Sequence, residues 1–261
     1  LAAQRHQLQD VYHGPYAQRY EALNGRPPAP DRMPRSRLDA ASIALQHTFI
    51  GANPHPIGAK AQYAGPESTS DYAQWHRQWH PAFRDFRDKF GFYDIFLVAA
   101  DSGDIVYSVS KELDFATSLS DGPYADTGIG RAFRRARRAE DPDTVVMADY
   151  AQYPPSYDAP AGFLASPIYA DGKKRGVAIF QIPLDRITAV MSERTGLGET
   201  GESYLVGPDK RMRSRSHLDP EHHSVTASFR GTLAANGADT PAVRRALAGK
   251  TGTAALPNYN G

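Results

Sequence analysis

Hydrophobic positions in the middle of the chain fall into two short β-rich runs with a polar turn between them. Residues 95–100 (IFLVAA) lead into Asp-Ser-Gly-Asp at 101–104, and residues 105–109 (IVYSV) follow at once. Two strand-like runs joined by a short Asp/Ser/Gly segment are typical of a β-hairpin. The pattern therefore predicts a hairpin over residues 95–109.

Three more strand-like runs follow, at residues 144–150, 162–168 and 177–182. Residues 127–139 lie before them and have the periodicity of a helix with one apolar face. Five strands with one inserted helix, preceded by further helices, do not alternate as βαβ units do. The pattern predicts an α+β fold with an antiparallel sheet.

Helical periodicity dominates the chain before the hairpin. Residues 70–90 have aromatic side chains at mostly i+3 or i+4 spacing, which predicts a long amphipathic helix. Pro81 lies inside this segment, and we expect it to kink or split the helix because proline lacks an amide hydrogen. Shorter helices are predicted at residues 36–50 and 184–194, and residues 1–23 have partial helical periodicity.

A second hairpin pattern occurs at residues 201–214, where a short apolar run, a Gly-Pro-Asp-Lys turn and another strand-like piece follow one another. It lies about 110 residues after the first, too far for the repeat of a solenoid. We therefore expect two similar modules in tandem. The predicted organisation is an N-terminal helical or tether segment at 1–35, a first module at 36–183, a linking helix and turn at 184–199, and a second, incomplete module at 200–261.

Composition narrows the functional classes. Apolar residues make up 41% and charged residues 23% of the 261 residues, which is ordinary for a globular protein. The net charge of +1 gives no electrostatic reason to expect a nucleic-acid partner. The chain has no cysteine, so disulfides, thiolate metal sites and a cysteine nucleophile are excluded.

Several motifs have ordinary structural interpretations. Residues 196–201 fit G-x-G-x-x-G, but a helix precedes them and a strand follows, the reverse of a dinucleotide-binding turn. His76 and His80 are four residues apart on a predicted helix, yet no glutamate completes a zinc motif, and we expect surface or core-edge histidines. We expect a solvated helix face for the basic run of Arg131, Arg134, Arg135, Arg137 and Arg138.

Four stretches together resemble a known family, the double Cache (dCache) sensor domains of bacterial membrane receptors. The stretches are YDIFLVAADSGDIVYSVSKELDFATSLSDGPYAD from Tyr93, YPPS from Tyr153, GVAIFQIP from Gly176, and GLGETGESYLVGPDKRMRSRS from Gly196. The resemblance covers roughly residues 40–261, and GLGETGESYLVG followed by RMRS is its most specific part. It implies tandem PAS-like modules with antiparallel sheets and long N-terminal helices.

The resemblance also implies a function. Double Cache domains lie outside the cytoplasmic membrane between two transmembrane helices, and they relay ligand binding to a cytoplasmic output module. For this chain we expect a periplasmic sensor domain for a small polar solute (an amino acid, amine or organic acid), without a cofactor, in a membrane-anchored homodimeric receptor. Tyr72, Arg77 and Trp79 match part of the amino-acid-binding motif of the family, but they precede the first strand, so that ligand class is not inherited.

In the family the ligand rests against the sheet of the first module, under the segment that follows the second strand. The residues that this chain has there, and in the loop opposite, are the predicted ligand-binding set: Tyr107, Lys111, Asp114, Asp149, Tyr150, Tyr153, Ser156 and Asp158. A lysine pairs with carboxylate or phosphate, an aspartate with an amine. The alternative is structural: Lys111, Glu112 and Asp114 form an ion-pair cluster that pins the loop.

No catalytic constellation is evident, since the chain has no G-x-S-x-G elbow and no paired carboxylates placed for acid–base work. We therefore expect no catalytic residues and no metal ligands. The alternatives to a sensor are a solute-binding protein for a transporter, which alternating βαβ lobes would favour, a hydrolase, and a Cache-like module without a ligand that serves as a spacer or a protein-partner site.

Overall fold

A computed structural model describes residues 1–29 and 38–259. It divides into two compact units. The first comprises Leu1–Ala148 and Tyr153–Ile182, and the second comprises Asp149–Gln152 and Pro183–Gly261. The predicted helix at 36–50 begins outside the described residues, and its described part begins at Ala40.

The first unit contains the sheet and the longer helices. Its elements in chain order are α1 (Ala2–Val11), a π-helical turn (Tyr12–Tyr16), α2 (Ala17–Asn24), α3 (Ala40–Gln46), a second π-helical turn (His47–Gly51), a 3-10 turn (Lys60–Gln62), α4 (Asp71–Phe90), β1 (Asp94–Ala99), β2 (Ile105–Ser108), α5 (Gly128–Arg138), β3 (Val146–Tyr153), a 3-10 turn (Pro154–Ser156), β4 (Ala159–Ala170) and β5 (Lys173–Ile182). Of β3, Asp149–Gln152 are grouped with the second unit. Each predicted strand of the sheet is present.

The five strands form one sheet in the order β2-β1-β5-β4-β3. The pairs β1–β2, β1–β5 and β4–β5 are antiparallel. Helix α5 is inserted between β2 and β3, as the periodicity predicts. The predicted α+β fold class with an antiparallel sheet is therefore confirmed.

The two faces of the sheet are covered by different helices. On one face Phe96 and Ile179 pack with Phe133 of α5 in the main core. The exposed arginines of α5 lie on its opposite side, as expected, because Ile129, Phe133 and Ala136 are fully buried. On the other face Ile95 and Tyr107 pack with aromatic side chains of α4.

Helix α4 narrows two expectations. Of the kink or split expected at Pro81, the split is wrong: the helix is continuous through the proline, because Trp75 and Phe83 pack against the same core cluster before and after it. Its N-cap is Ser70, whose hydroxyl accepts a hydrogen bond from the amide of Ala73. His76 and His80 are not at the surface: their exposed fractions are 0% and 1%.

The second unit is built from short helices. They are α6 (Leu184–Met191), α7 (Val225–Arg230), α8 (Leu233–Asn236) and α9 (Pro241–Leu247). In the described part of this unit, the predicted hairpin at 201–214 is reduced to one isolated bridge between Val206 and Met212. Its turn closes with the amide of Gly207 donating to Arg211 O at 2.9 Å.

Candidate functional site

A cluster of buried polar side chains lies at one end of the sheet, where β1 begins and β5 ends. Asp94 on β1 is the register partner of Gln181 on β5, so both side chains leave the sheet on the same face. Both are buried, with exposed fractions of 0% and 3%. The segment after β2, which carries Lys111, Glu112 and Asp114, covers this end of the sheet.

Asp94 is held by backbone amides. Its Oδ1 accepts hydrogen bonds from Ile95 N at 2.7 Å, Val109 N at 2.9 Å and Ser110 N at 2.9 Å. Its Oδ2 has no hydrogen-bond partner among the described residues. Burial raises the pKa of this carboxyl to about 6, although the three amides act in the opposite direction.

Glu112 and Gln181 are joined through a serine. The Ser156 hydroxyl donates to Glu112 Oε2 at 2.9 Å and accepts from Gln181 Nε2 at 3.2 Å. Tyr93 donates its hydroxyl to Glu112 Oε1 at 2.7 Å. Burial and the neighbouring Asp114 carboxyl hold the pKa of Glu112 well above its usual range. Gln181 Oε1 is without a partner in the part of the chain that the structure describes.

Asp114 is the second fully buried carboxyl of the cluster, after Asp94, whereas Glu112 is half-buried. Its Oδ2 accepts a hydrogen bond from the Tyr153 hydroxyl at 2.5 Å. Its Oδ1 is buried and, within residues 1–29 and 38–259, unpaired. Burial, with a smaller effect of Asp94, raises the pKa of Asp114 to about 7. The backbone carbonyl of Asp114 accepts from Thr117, which closes the local turn.

The Lys111 ammonium is enclosed by aromatic rings. Its Nζ lies 4.3 Å from the ring centroid of Tyr107, 4.9 Å from that of Phe115 and 5.6 Å from that of Phe49. The same Nζ donates to the backbone carbonyl of Ser108. Lys111 is 2% exposed, and burial lowers its pKa to about 7 while the charge of Asp94 opposes this. The ammonium is thus stabilised by cation–π contacts.

His80 and Tyr107 form a buried pair beside this cage. His80 Nε2 lies 2.7 Å from the carbonyl of Ala61, and its Nδ1 lies 2.7 Å from the hydroxyl of Tyr107. A carbonyl only accepts, so Nε2 carries the proton and Tyr107 donates to Nδ1. Burial lowers the pKa of His80 to about 4 and that of His76 to about 2, and a nearby Lys111 charge acts in the same direction.

Backbone strain is concentrated in the two segments around the cluster. Lys111 and Ala116, which bracket the loop with Glu112 and Asp114, have φ of 55° and 58°. Tyr157 and Asp158, which follow Ser156, have φ of 58° and 57°. Residues with a Cβ rarely adopt this left-handed conformation, and such strain is frequent at ligand sites.

The cluster presents acceptors to its interior. Three buried acceptors of the cluster have no hydrogen-bond partner among the described residues: Asp94 Oδ2, Asp114 Oδ1 and Gln181 Oε1. The ammonium of Lys111 is directed to Ser108 O and the rings instead. An arrangement of this kind can hold a group that donates several hydrogen bonds and carries positive charge.

The structure brings together five of the eight predicted residues: Tyr107, Lys111, Asp114, Tyr153 and Ser156. Asp158 lies nearby on the same segment as Ser156, but it contacts the N-terminal helix and Arg26, whose guanidinium is 3.5 Å away. Asp149 and Tyr150 belong to the second unit, where Asp149 binds Arg213 with two contacts of 2.8 Å.

Sequence reasoning missed two central residues. Asp94 is not predicted, because it begins a strand that otherwise reads as apolar. A lone charged residue at such a position is the signal that could have identified it. Gln181 was overlooked because only the register of β1 against β5 places it beside Asp94. Glu112 was noticed only as part of a structural ion-pair cluster, whereas its carboxylate is bound by the hydroxyls of Tyr93 and Ser156.

The residues of α4 that match part of the amino-acid-binding motif, Tyr72, Arg77 and Trp79, have structural contacts or lie exposed. Arg77 donates to the carbonyls of Pro66 and Ser68, the latter at 3.0 Å, and so ties down the preceding loop. Tyr72 donates its hydroxyl to Val106 O at 2.8 Å. Trp79 is 46% exposed.

Two further classes of feature are absent from the described ranges. Across residues 1–29 and 38–259, no group of three or more histidine, aspartate or glutamate side chains is arranged to bind a metal ion. No helix in the same ranges has both the length and the apolar composition that crossing a membrane requires.

Comparison with known proteins gives matches of fold only. No family model matches the chain, and no curated protein matches it. Among solved structures, the chain is similar to the sensory domain of the Campylobacter jejuni chemoreceptor Tlp3 (CcmL), with 12% identity and a TM-score of 0.39 over 84% of this chain and 71% of that one.

Two other matches have the same character. The sensor domain of the V. cholerae histidine kinase DctB is 12% identical, with a TM-score of 0.39 over 85% of this chain and 70% of that one. The ligand-binding domain of the Pseudomonas fluorescens chemoreceptor CtaA, in complex with L-serine, is 15% identical, with a TM-score of 0.36 over 54% of this chain. The match spans 53% of the CtaA domain, about half its length. All three are sensor or ligand-binding domains.

Proposed function

We propose that the chain is the ligand-binding sensor domain of a bacterial transmembrane receptor and that its first module binds a small solute through an ammonium group. The observation that carries the proposal is the set of unpaired, buried acceptors that Asp94, Asp114 and Gln181 present among the described residues. A buried acceptor without a donor costs about 1–3 kcal/mol, so a solute that supplies donors binds favourably there.

The distribution of charge favours an amine over an organic acid. The carboxyl groups of Asp94, Glu112 and Asp114 all lie in the cluster with Lys111. The ammonium of Lys111 already contacts Ser108 O and the aromatic rings. A ligand carboxylate would therefore meet acceptors and carboxyl groups, and the repulsion would disfavour it.

Protons compete with such a ligand for the carboxyl groups of the cluster. The pKa values of Asp94 and Asp114 are raised to about 6 and about 7, so protons occupy these carboxyls in part at neutral pH. A bound ammonium favours the ionised carboxylates and lowers both pKa values. Ligand binding is therefore accompanied by proton release, which weakens binding at lower pH.

The wider assignment follows the resemblance of the sequence to double Cache domains. In this proposal the first unit is the membrane-distal module, the second unit is the membrane-proximal one, and the protein lies outside the cytoplasmic membrane between flanking helices. The full-length receptor is a homodimer, and the fragment itself catalyses no reaction. A conformational difference between the free and the bound module carries the signal, because a ligand shifts an equilibrium only through unequal affinity for its two states.

A thermal-shift series tests the ligand class. The probes are ethanolamine and putrescine as amines, glycine and L-leucine as amino acids, and acetate and succinate as organic acids. A ligand present at one hundred times its Kd adds about 2.7 kcal/mol of stability. We expect the amines or amino acids to raise Tm in the wild type but not in Asp94→Asn or Asp114→Asn. The exposed Asp126 provides the matched control, Asp126→Asn, which retains the shift.

The other outcomes contradict the proposal in different ways. A shift with acetate or succinate alone overturns recognition through an ammonium group. A shift that survives both Asp94→Asn and Asp114→Asn locates the site elsewhere. No shift with any class favours a Cache-like module that serves as a spacer or a protein-partner site.

A further inference from the structure

Three buried tyrosines lie along one face of the N-terminal helical segment. Tyr12, Tyr16 and Tyr20, here called the tyrosine ladder, recur every four residues and have exposed fractions of 4%, 1% and 0%. Tyr12 and Tyr16 bound a π-helical turn between α1 and α2. Each hydroxyl binds a different segment of the first unit, and each of those segments borders the candidate site.

The first contact reaches the loop that carries the carboxyl groups. Tyr12 donates its hydroxyl to Gln46 Oε1. The amide nitrogen of Gln46 in turn donates to the carbonyl of Leu113 at 3.2 Å and to that of Phe115 at 2.6 Å. These two residues flank Asp114, so a single buried glutamine links the helix to the backbone on both sides of this carboxyl.

The second contact reaches the opposite wall of the site. Tyr16 donates its hydroxyl to the carbonyl of Pro154 at 2.6 Å. The preceding residue, Tyr153, donates its own hydroxyl to Asp114. Tyr16 also stacks on Tyr157, with ring centroids 5.1 Å apart. Asp114 is therefore approached from the helix by two routes, one through Gln46 and one through Pro154 and Tyr153.

The third contact lies at the strained turn after Ser156. Tyr20 donates its hydroxyl to Asp158 Oδ2. Asp158 and its neighbour Tyr157 both have left-handed backbones, a conformation that surrounding contacts have to maintain. The contact of Tyr20 with Asp158 contributes to holding this turn, and with it the Ser156 hydroxyl that binds Glu112.

We propose that the tyrosine ladder couples the N-terminal helix to the candidate site, so that the hydrogen bonds around Asp114 and the local stability of residues 2–24 change together. The coupling is reciprocal, since a perturbation at either end must affect the other by the same free energy. The inference rests on the proposed function only for its biological use, which is to report occupancy of the site to the N-terminal helix.

Hydrogen–deuterium exchange of the ligand-free protein tests the coupling in both directions. Tyr153→Phe removes the hydroxyl on Asp114 without touching the ladder, and the readout is exchange in residues 2–24. Tyr16→Phe removes one contact of the ladder, and the readout is exchange in residues 111–117. Because one hydrogen bond is worth about 0.5–1.5 kcal/mol, we expect exchange to accelerate about three- to tenfold in each distant segment, relative to the amides of α5.

Tyr169→Phe is the matched control, because the Tyr169 hydroxyl donates to the carbonyls of Ala139 and Glu140, away from the ladder. It should leave both segments within about twofold of the wild type, below the effect of one hydrogen bond. If Tyr153→Phe and Tyr16→Phe each accelerate exchange only in their own surroundings, the coupling is refuted. No ligand is used, so this result is independent of the thermal-shift series that tests the proposed function.

Discussion

Asp94 and Gln181 face each other across β1 and β5, and each has one side-chain oxygen that forms no hydrogen bond within the described residues. The pairing places two unpaired acceptors at the same end of the sheet, below the loop that carries Glu112 and Asp114. Side chains directly opposite each other on neighbouring strands are close enough to interact, yet these two oxygens are not paired. Two acceptors in such a position are better suited to a donor that comes from outside the chain.

Replacing the carboxyl of Asp94 should change how stability depends on pH. Burial raises its pKa from 3.8 to about 6 in the folded protein. The folded state then keeps a proton that the unfolded chain has lost, so this group's contribution to the free energy of unfolding falls as pH rises from about 4 to about 6. Urea unfolding should show Asp94→Asn gaining about 2 kcal/mol on the wild type between pH 4 and pH 7.

The effect has to be measured as the difference in the free energy of unfolding between variant and wild type at each pH. This is because His76 and His80 change the pH dependence of that free energy in the opposite direction. Their pKa values are lowered, so their contributions to stability are lost as pH falls below 6.5. Asp126→Asn, at an exposed position, should run parallel to the wild type at every pH. Parallel curves for Asp94→Asn as well would show that Asp94 is not buried as described.

The pKa of Lys111 should lie far below that of an ordinary lysine. Burial among Tyr107, Phe115 and Phe49 lowers its pKa to about 7, whereas an exposed lysine titrates near 10.4. The midpoint can be measured by NMR from the ¹³Cε resonance, assigned by comparison with Lys111→Met. A Lys111 midpoint above 10 would contradict the enclosed position of its ammonium.

Local periodicity accounts for most of the first unit. The apolar, strand-like runs predict every strand of the sheet, and the turn at 101–104 predicts the β1–β2 hairpin. The spacing of aromatic residues predicts α4, with Pro81 inside it. Of the kink or split expected at Pro81, the split is wrong, because packing on both sides of the proline outweighs its missing hydrogen bond.

The candidate site was less accessible to prediction, because it depends on contacts between distant residues. Lys111, Asp114 and Tyr153 could be selected from their places after strands. The sequence around Gln181 does not indicate that the strand register places it beside Asp94. Likewise, the sequence around Gln46 does not indicate that its side-chain amide donates to the carbonyls of Leu113 and Phe115. The four-residue spacing of the tyrosine ladder was the one local signal that the N-terminal segment packs on the rest of the unit.

The hairpin turn at Gly103 should be sensitive to a single methyl group. Gly103 has φ of +82°, and a Cβ added there would overlap Ser120 Oγ and lie 3.0 Å from Ser120 N. Gly172, in the β4–β5 turn, has φ of +70°, but an added Cβ would meet no atom within 4 Å. Gly172→Ala therefore measures the backbone strain alone, about 1 kcal/mol. Gly103→Ala should cost at least about 1 kcal/mol more in urea unfolding; equal losses would show that Ser120 moves aside.

Replacing Arg77 tests whether the partial amino-acid-binding motif on α4 has a structural or a ligand-binding role. Its guanidinium is occupied by the carbonyls of Pro66 and Ser68, so it has no role in the proposed amine site. Arg77→Met should lower Tm by about 3 °C, because each kcal/mol is worth about 2–4 °C in a chain of this size. Calorimetric titration with the amine or amino acid that stabilises the wild type should give a Kd within about twofold, since the contacts of Asp94 and Asp114 are unchanged. Asp114→Asn is the comparison that should lose binding. A tenfold weaker Kd in Arg77→Met would instead show that this guanidinium contacts a ligand carboxylate, and recognition by acceptors alone would be wrong.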